Sequence, residues 1–221
     1  MRRIFILFLC LCMVCPVHAA PQQRYVALTF DDGPSGRFTR TLLDGLAQRD
    51  AKATFLLCGY RIKDYPKEAA RIQREGHEIG LHGYSHDNMA KMDQEKLERE
   101  IADTLALLPD GCRPVFLRPP GGKCSEGVQE AARQADLAVL SWSVDPRDWA
   151  SHDAKIIEDA VVQTVQDGDV ILLHDMSDSS VEAALAIVDE LKEQGFSFVT
   201  VTELARLKGR TIEPGKIYGR F

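Results

Sequence analysis

Along the chain, short runs of β-branched and aromatic residues alternate with longer stretches whose apolar positions recur every three or four residues. That alternation predicts repeated β-α units and a parallel sheet. The strand candidates are Tyr25 to Phe30, Ala53 to Cys58, Glu78 to Leu81, Val115 to Leu117, Ala138 to Trp142, Val170 to His174 and Phe198 to Val201. Between them the spacing predicts helices over Thr39 to Arg49, Tyr65 to Arg74, Gln94 to Leu108, Glu126 to Gln134, Ala154 to Gln166 and Val181 to Glu193. Gly76 and Gly195 fall just past two of these helices, where left-handed backbone suits a glycine cap. About seven such units point to an α/β fold, a distorted parallel β/α barrel. No repeat, low-complexity tract or linker divides residues 21–221, so one domain is expected. The tail from Lys208 to Phe221 reads as irregular chain laid over the surface.

Length and composition agree with this. A chain of 221 residues, 45% apolar and 27% charged, can bury a sizeable core. Its formal charge of -6 disfavours phosphate backbones and anionic lipid, and nucleic acid is not an expected partner. The N-terminus runs from Met1-Arg2-Arg3 through an apolar block, Ile4 to Cys15, into Val17-His18-Ala19-Ala20. That order predicts a secretory signal peptide over residues 1–20, cleaved after Ala19 or Ala20. The block is shorter than the roughly 20 residues a membrane helix needs, which makes an uncleaved anchor the weaker alternative. The expected product is a monomer, secreted or associated with the cell wall, without stable membrane insertion. Cys10, Cys12 and Cys15 fall in the leader. Of the remaining three, Cys58, Cys112 and Cys124, a Cys112 to Cys124 disulfide is an alternative to buried apolar thiols.

The polar residues sharpen the picture. Asp31, Asp32, His82, Arg118 and His174 each stand at or just beyond the C-terminal end of a strand candidate, the end that carries chemistry in parallel barrels. His82 and His86 are spaced i, i+4, and in a helical turn both imidazoles would face one ion. Tandem Asp31-Asp32 crowds negative charge where a cation would relieve it. Two histidines and a carboxylate leave positions open for water and substrate, as in a catalytic metal site. Zinc is the first choice of divalent metal, with cobalt, nickel, manganese or iron also suited. Such an ion polarises a carbonyl and lowers the pKa of water towards about 7, so hydrolysis is the expected reaction class.

The runs Thr29-Phe30-Asp31-Asp32-Gly33-Pro34, His82-Gly83-Tyr84-Ser85-His86, Arg118-Pro119-Pro120-Gly121, Asp145-Pro146-Arg147-Asp148-Trp149 and Leu172-Leu173-His174 appear in this order. Together they resemble the polysaccharide deacetylases of carbohydrate esterase family four, with its nodulation-type deacetylase domain. The resemblance implies removal of N-acetyl groups from a glycan such as peptidoglycan N-acetylglucosamine or chitin oligomers. It implies Asp31 as general base and Asp32, His82 and His86 as metal ligands. It also implies Arg118 as partner of Asp31, His174 as the acid that protonates the leaving amine, and Asp148 as the residue orienting it. Trp149 and Leu172 resemble walls of an acetyl pocket, Pro119 and Gly121 further substrate contacts, with a backbone N–H near Gly121 donating to the oxyanion. Three positions depart from the family pattern. Gly83 replaces a usual Ser or Thr, Gly121 a frequent aromatic, and Leu81 a common Asn or Ser. Two other readings are an O-deacetylase of acetylated xylan and a weakly active, metal-containing glycan-binding module.

Overall fold

The structure, a computed structural model, describes residues 23–221. The expected leader and its three cysteines lie outside the described residues. Among those described, the elements run β1 (Arg24–Asp31), α1 (Arg37–Gln48), β2 (Ala53–Leu57), α2 (Gly59–Asp64), α3 (Pro66–Arg74), β3 (Glu78–Leu81), α4 (Gln94–Leu105) and β4 (Phe116–Leu117). They continue with α5 (Glu126–Gln134), β5 (Ala138–Leu140), α6 (Ala154–Val162), β6 (Val170–His174), α7 (Asp178–Glu193), β7 (Phe196–Phe198), α8 (Val201–Leu207) and β8 (Ile217–Tyr218).

The sheet order is β6-β1-β2-β3-β4-β5-β8, and each neighbouring pair in it is parallel. Strand β7 pairs with the first half of β1, at Arg24 to Val26, while β6 takes Ala27 to Asp31. A parallel bridge between Val144 and Ile171 brings the chain beyond β5 back to β6, so the sheet curls into a distorted β/α barrel. Alternation along β1 sorts its side chains. Val26, Leu28 and Phe30 join the core under α1 and α7, whereas Ala27 belongs to the separate apolar cluster with Leu56, Phe116 and Leu140. Thr29 and Asp31 share the face of Ala27, which carries Asp31 to the barrel mouth.

Register then aligns the strand ends. Asp31 pairs with His174, and Leu81 with Leu117, so His82 and Arg118 are level as the next residues of β3 and β4. The glycines at the helix ends behave as expected, Gly76 at φ 78° and Gly195 at φ 86°. Among the described residues no helix is long and apolar enough to cross a membrane. Cys58 is buried, and Cys112 and Cys124 are half-buried and unpaired.

Four expectations change. The last strand lies at Phe196–Phe198 instead of Phe198 to Val201, because Thr200 caps a helix, its hydroxyl accepting from the N–H of Glu203 at 3.3 Å. The tail is not merely laid over the surface. Ile217 and Tyr218 pair with β5, and Phe221 donates its N–H to the Gly168 carbonyl at 3.0 Å. Helices α4 and α6 stop at Leu105 and Val162, short of the expected ends, and α7 starts earlier at Asp178 under a Ser177 cap. Finally, α2 has six residues, too few to show a period.

Candidate active site

Asp32 follows β1 in left-handed backbone, φ 71°, so its side chain leaves the face used by Asp31. Its Oδ1 lies 3.3 Å from His82 Nε2 and 3.0 Å from His86 Nε2. The ligand atoms of these three residues fall within 4.8 Å of one another. His82 Nδ1 stands 2.7 Å from the Arg118 carbonyl, which can only accept, so Nδ1 carries the hydrogen. In the neutral ring Nε2 then presents a lone pair to a carboxylate oxygen that is buried without a hydrogen bond. A proton or a metal ion between these atoms relieves the contact, and the donor set of two imidazoles and a carboxylate fits a divalent transition metal. Burial pushes the Asp32 carboxyl up, but the histidines beside it pull it well below the usual carboxylate range. The adjacent Asp32 carboxylate raises His86 against the opposing effect of burial.

The histidine pair does not lie in a helical turn, as the i, i+4 spacing suggested. Gly83 at φ 74° and His86 at φ 63° form an irregular loop that folds the second imidazole back towards the first. Glu100 holds this loop. Its Oε2 accepts the N–H groups of Tyr84 at 2.7 Å and Ser85 at 2.9 Å, and its Oε1 accepts the Ser85 hydroxyl at 2.9 Å. A Cβ on Gly83 would lie 3.2 Å from Glu100 Oε2, so the glycine keeps the clamp uncrowded. Glu100 is not among the residues the sequence motifs mark. The available signal was its place in the stripe Leu97, Glu100, Ile101 and Thr104, the buried face of α4.

Asp31 and Arg118 form the second group. Both are buried, Arg118 completely. Arg118 Nη1 donates to Asp31 Oδ1 at 2.6 Å and to Thr29 Oγ1 at 2.8 Å, Nη2 to the Ser141 carbonyl at 2.9 Å, and Nε to Leu140 O at 3.4 Å. These contacts leave Asp31 Oδ2 as the oxygen nearer the ligand group, 3.7 Å from His82 Nε2. Asp31 does not cap α1, whose N-cap is Gly36.

His174 and Asp148 form the third. Asp148 is buried, not a surface turn residue, and uses both carboxylate oxygens on His174. Oδ1 stands 2.8 Å from Nδ1, and Oδ2 accepts the backbone N–H at 2.8 Å. A carboxylate accepts, so Nδ1 bears the hydrogen and Nε2 is the nitrogen free to exchange a proton. Burial pushes His174 down, but the Asp148 hydrogen bond and charge, with Asp31 and Asp32 nearby, raise it to about 9. Beside it, Asp175 is fully buried, which pushes its carboxyl up to about 7. It accepts from the Thr39 hydroxyl while its carbonyl accepts from that of Ser35, tying the loop after Asp32 to the end of β6.

The three groups meet at a cavity of about 370 Å³ lined by Asp31, Asp32, His82, His86, Gly121, Trp142, Asp145, Trp149, Leu172 and His174. Trp149 is 59% exposed and Leu172 is buried, so one wall is an open aromatic face and the other a core residue. The Arg147 guanidinium lies 5.3 Å from the Trp149 ring centroid. Pro119 is buried and does not line the cavity. Trp142 and Asp145 do line it and were not singled out from sequence. Trp142, at the end of a strand candidate, carried the same positional signal as Arg118.

A family model for polysaccharide deacetylases matches residues 18–140. Among curated proteins, a peptidoglycan-N-acetylglucosamine deacetylase of Bacillus cereus is 41% identical over 192 residues, covering 84% of this chain and 90% of that protein. A chitooligosaccharide deacetylase of Rhizobium leguminosarum bv. trifolii is 33% identical, covering 81% of this chain and 91% of its own length. Among solved structures, a family 4 acetyl xylan esterase from Clostridium thermocellum in complex with a cobalt ion superposes with a TM-score of 0.83 at 36% identity. That match covers 89% of this chain and 98% of the esterase chain.

Proposed function

The chain belongs to the polysaccharide deacetylase family, and on that premise we propose that it hydrolyses N-acetyl groups from a glycan, peptidoglycan N-acetylglucosamine first and chitin oligomers next. The observation that carries this reading is the placement of two proton-handling pairs, Asp31 with Arg118 and His174 with Asp148, around one cavity with the Asp32, His82 and His86 group.

Asp32, His82 and His86 would hold a divalent ion, zinc by preference, which when bound polarises the acetyl carbonyl and acidifies water. Asp31 takes the proton of the attacking water through Oδ2, since Arg118 occupies Oδ1. The backbone N–H of Gly121, on the cavity wall, donates to the oxyanion. Asp148 holds the Nδ1–H tautomer of His174, which delivers its proton from Nε2 to the departing amine. Trp149 and Leu172 enclose the acetyl methyl. Acetate and a free amino sugar result. Export of residues 21–221 after cleavage of the leader belongs to the same proposal.

The test is acetate release from peptidoglycan by the mature protein with added metal. Asp31→Asn is expected to abolish release while metal still binds, and normal turnover by this variant would remove Asp31 as base. Likeness to an acetyl xylan esterase supports O-deacetylation as a second reading. Faster acetate release from acetylated xylan than from either N-acetylated glycan would favour it.

A further inference from the structure

Gly121, whose N–H is the oxyanion donor of the proposed reaction, sits in a tight turn. The Gly122 N–H donates to the Pro119 carbonyl at 2.9 Å, and Gly121, at φ 66° and ψ 15°, takes the third turn position, where left-handed backbone calls for glycine. The Gly121 N–H has no acceptor among the described residues and is free to donate. A turn closed by one hydrogen bond needs outside support to hold that donor at a fixed height, because an oxyanion is stabilised only within about 2.7–3.1 Å.

Trp142 gives the turn a floor. Gly122, at φ 68°, lies so close to the indole that a Cβ on it would come within 2.5 Å of Cη2 and 3.0 Å of Cζ3. A Cβ on Gly121 would meet no heavy atom within 4 Å beyond its chain neighbours. The turn therefore rests on the ring through Gly122 and leaves Gly121 open to the cavity that Gly121 and Trp142 both line. The chain at Trp142 is itself held from two strands. Ser141 donates its N–H to the Tyr218 carbonyl of β8 at 2.6 Å, and Ser143 donates its N–H to the Val170 carbonyl of β6 at 3.0 Å. The Arg118 guanidinium, which donates to Asp31, lies 5.6 Å from the Trp142 ring centroid. One indole thus meets both the turn that carries the donor and the guanidinium that fixes the base.

We propose that Trp142 is a positioning residue for the reaction, its indole setting the height of the Gly121 N–H over the cavity and coupling that donor to the Asp31–Arg118 pair. The inference rests on the deacetylase reading and adds to it a residue that acts through the turn, not on the acetyl group.

Acetate release by the zinc-loaded enzyme is measured for the wild type, Trp142→Phe, Trp142→Leu, Gly121→Ala, Gly122→Ala, and each alanine substitution combined with Trp142→Leu. Outright loss of an oxyanion donor costs roughly 100- to 1000-fold in kcat, so its displacement in Trp142→Leu is expected to cost about 10- to 100-fold. KM should stay within about threefold and zinc affinity should not change, because the interaction lost is made in the transition state. Trp142→Phe keeps a ring and should lose less. Both alanine substitutions carry similar left-handed strain, but only Gly122→Ala strikes the indole. Gly122→Ala should therefore lower kcat at least about tenfold more than Gly121→Ala, and that gap should close in Trp142→Leu. An unchanged kcat, a rise in KM alone, a parallel fall in zinc affinity, or a gap that survives in Trp142→Leu overturns the assignment. If Trp142→Leu does not fold, Trp142→Phe takes its place in the comparison and the gap should narrow. Should the wild type release no acetate, the deacetylase reading falls, and amide hydrogen exchange followed by NMR decides the support. The Gly122 N–H is then expected to exchange at least about tenfold faster in Trp142→Leu or Trp142→Phe while the β1 amides keep their rates, and equal protection overturns it.

Discussion

Removing the Glu100 carboxylate is the most informative single perturbation of the ligand loop. It accepts from two backbone N–H groups and one hydroxyl at 2.7 to 2.9 Å, all within the segment that carries His86. Each buried donor left unpaired costs about 1–3 kcal/mol. Ser85 is exposed and can be rehydrated, whereas Tyr84 is only half-exposed. Glu100→Ala should therefore cost about 2–4 kcal/mol, shared between global stability and order in the loop. Loss of an outer-shell partner typically weakens metal binding 10- to 100-fold, or roughly 1.4–2.7 kcal/mol, which lies within that range. Competition of the metal-free protein with a chromophoric zinc chelator, well below its melting temperature, reads the affinity apart from the stability. Glu100→Gln keeps one carbonyl for the two N–H groups and offers its NH2 to the Ser85 oxygen, so its loss should be under about tenfold. A folded Glu100→Ala protein that binds zinc as tightly as the wild type would refute the clamp.

Arg118→Met should lower the unfolding free energy by about 3–5 kcal/mol in urea titration, because it strands the buried Asp31 carboxylate; a loss below about 1 kcal/mol would contradict the burial argument. His174, raised to about 9 from an ordinary value near 6.5, stabilises the metal-free fold fully below about pH 6.5, and that stabilisation is lost as pH rises through about 9. The amount is on the order of 3 kcal/mol, and Asp148→Asn should flatten this dependence and shift the NMR titration of His174 downward. An unchanged titration in that variant would dissociate the two residues.

Most of the scaffold was legible because its strands are buried on both faces and read as short apolar runs between helical stretches. The polar residues at their ends stood out for the same reason. Asp31, Asp32, His82, Arg118 and His174 interrupt apolar runs at matching positions, and register brings them level. What escaped depends on tertiary partners. The apolar stripe of α4 places Glu100 on a buried face, but the stripe does not show what its carboxylate holds. The bend at Gly83 and His86 is set by that clamp, so the spacing alone read as helix. Two-residue β8 is too short to show alternation and exists only against Leu140 and Val139.

Asp32 combines left-handed backbone with a buried oxygen that has no hydrogen bond, and His86 shares the left-handed backbone. Each such residue costs on the order of 1 kcal/mol that glycine would avoid. A laboratory lineage selected only for thermal resistance, without an activity gate, would therefore discard these two positions early. Any stabilisation campaign on this scaffold should exempt them from mutation, because under the proposed function durability gained at these positions would be paid in turnover.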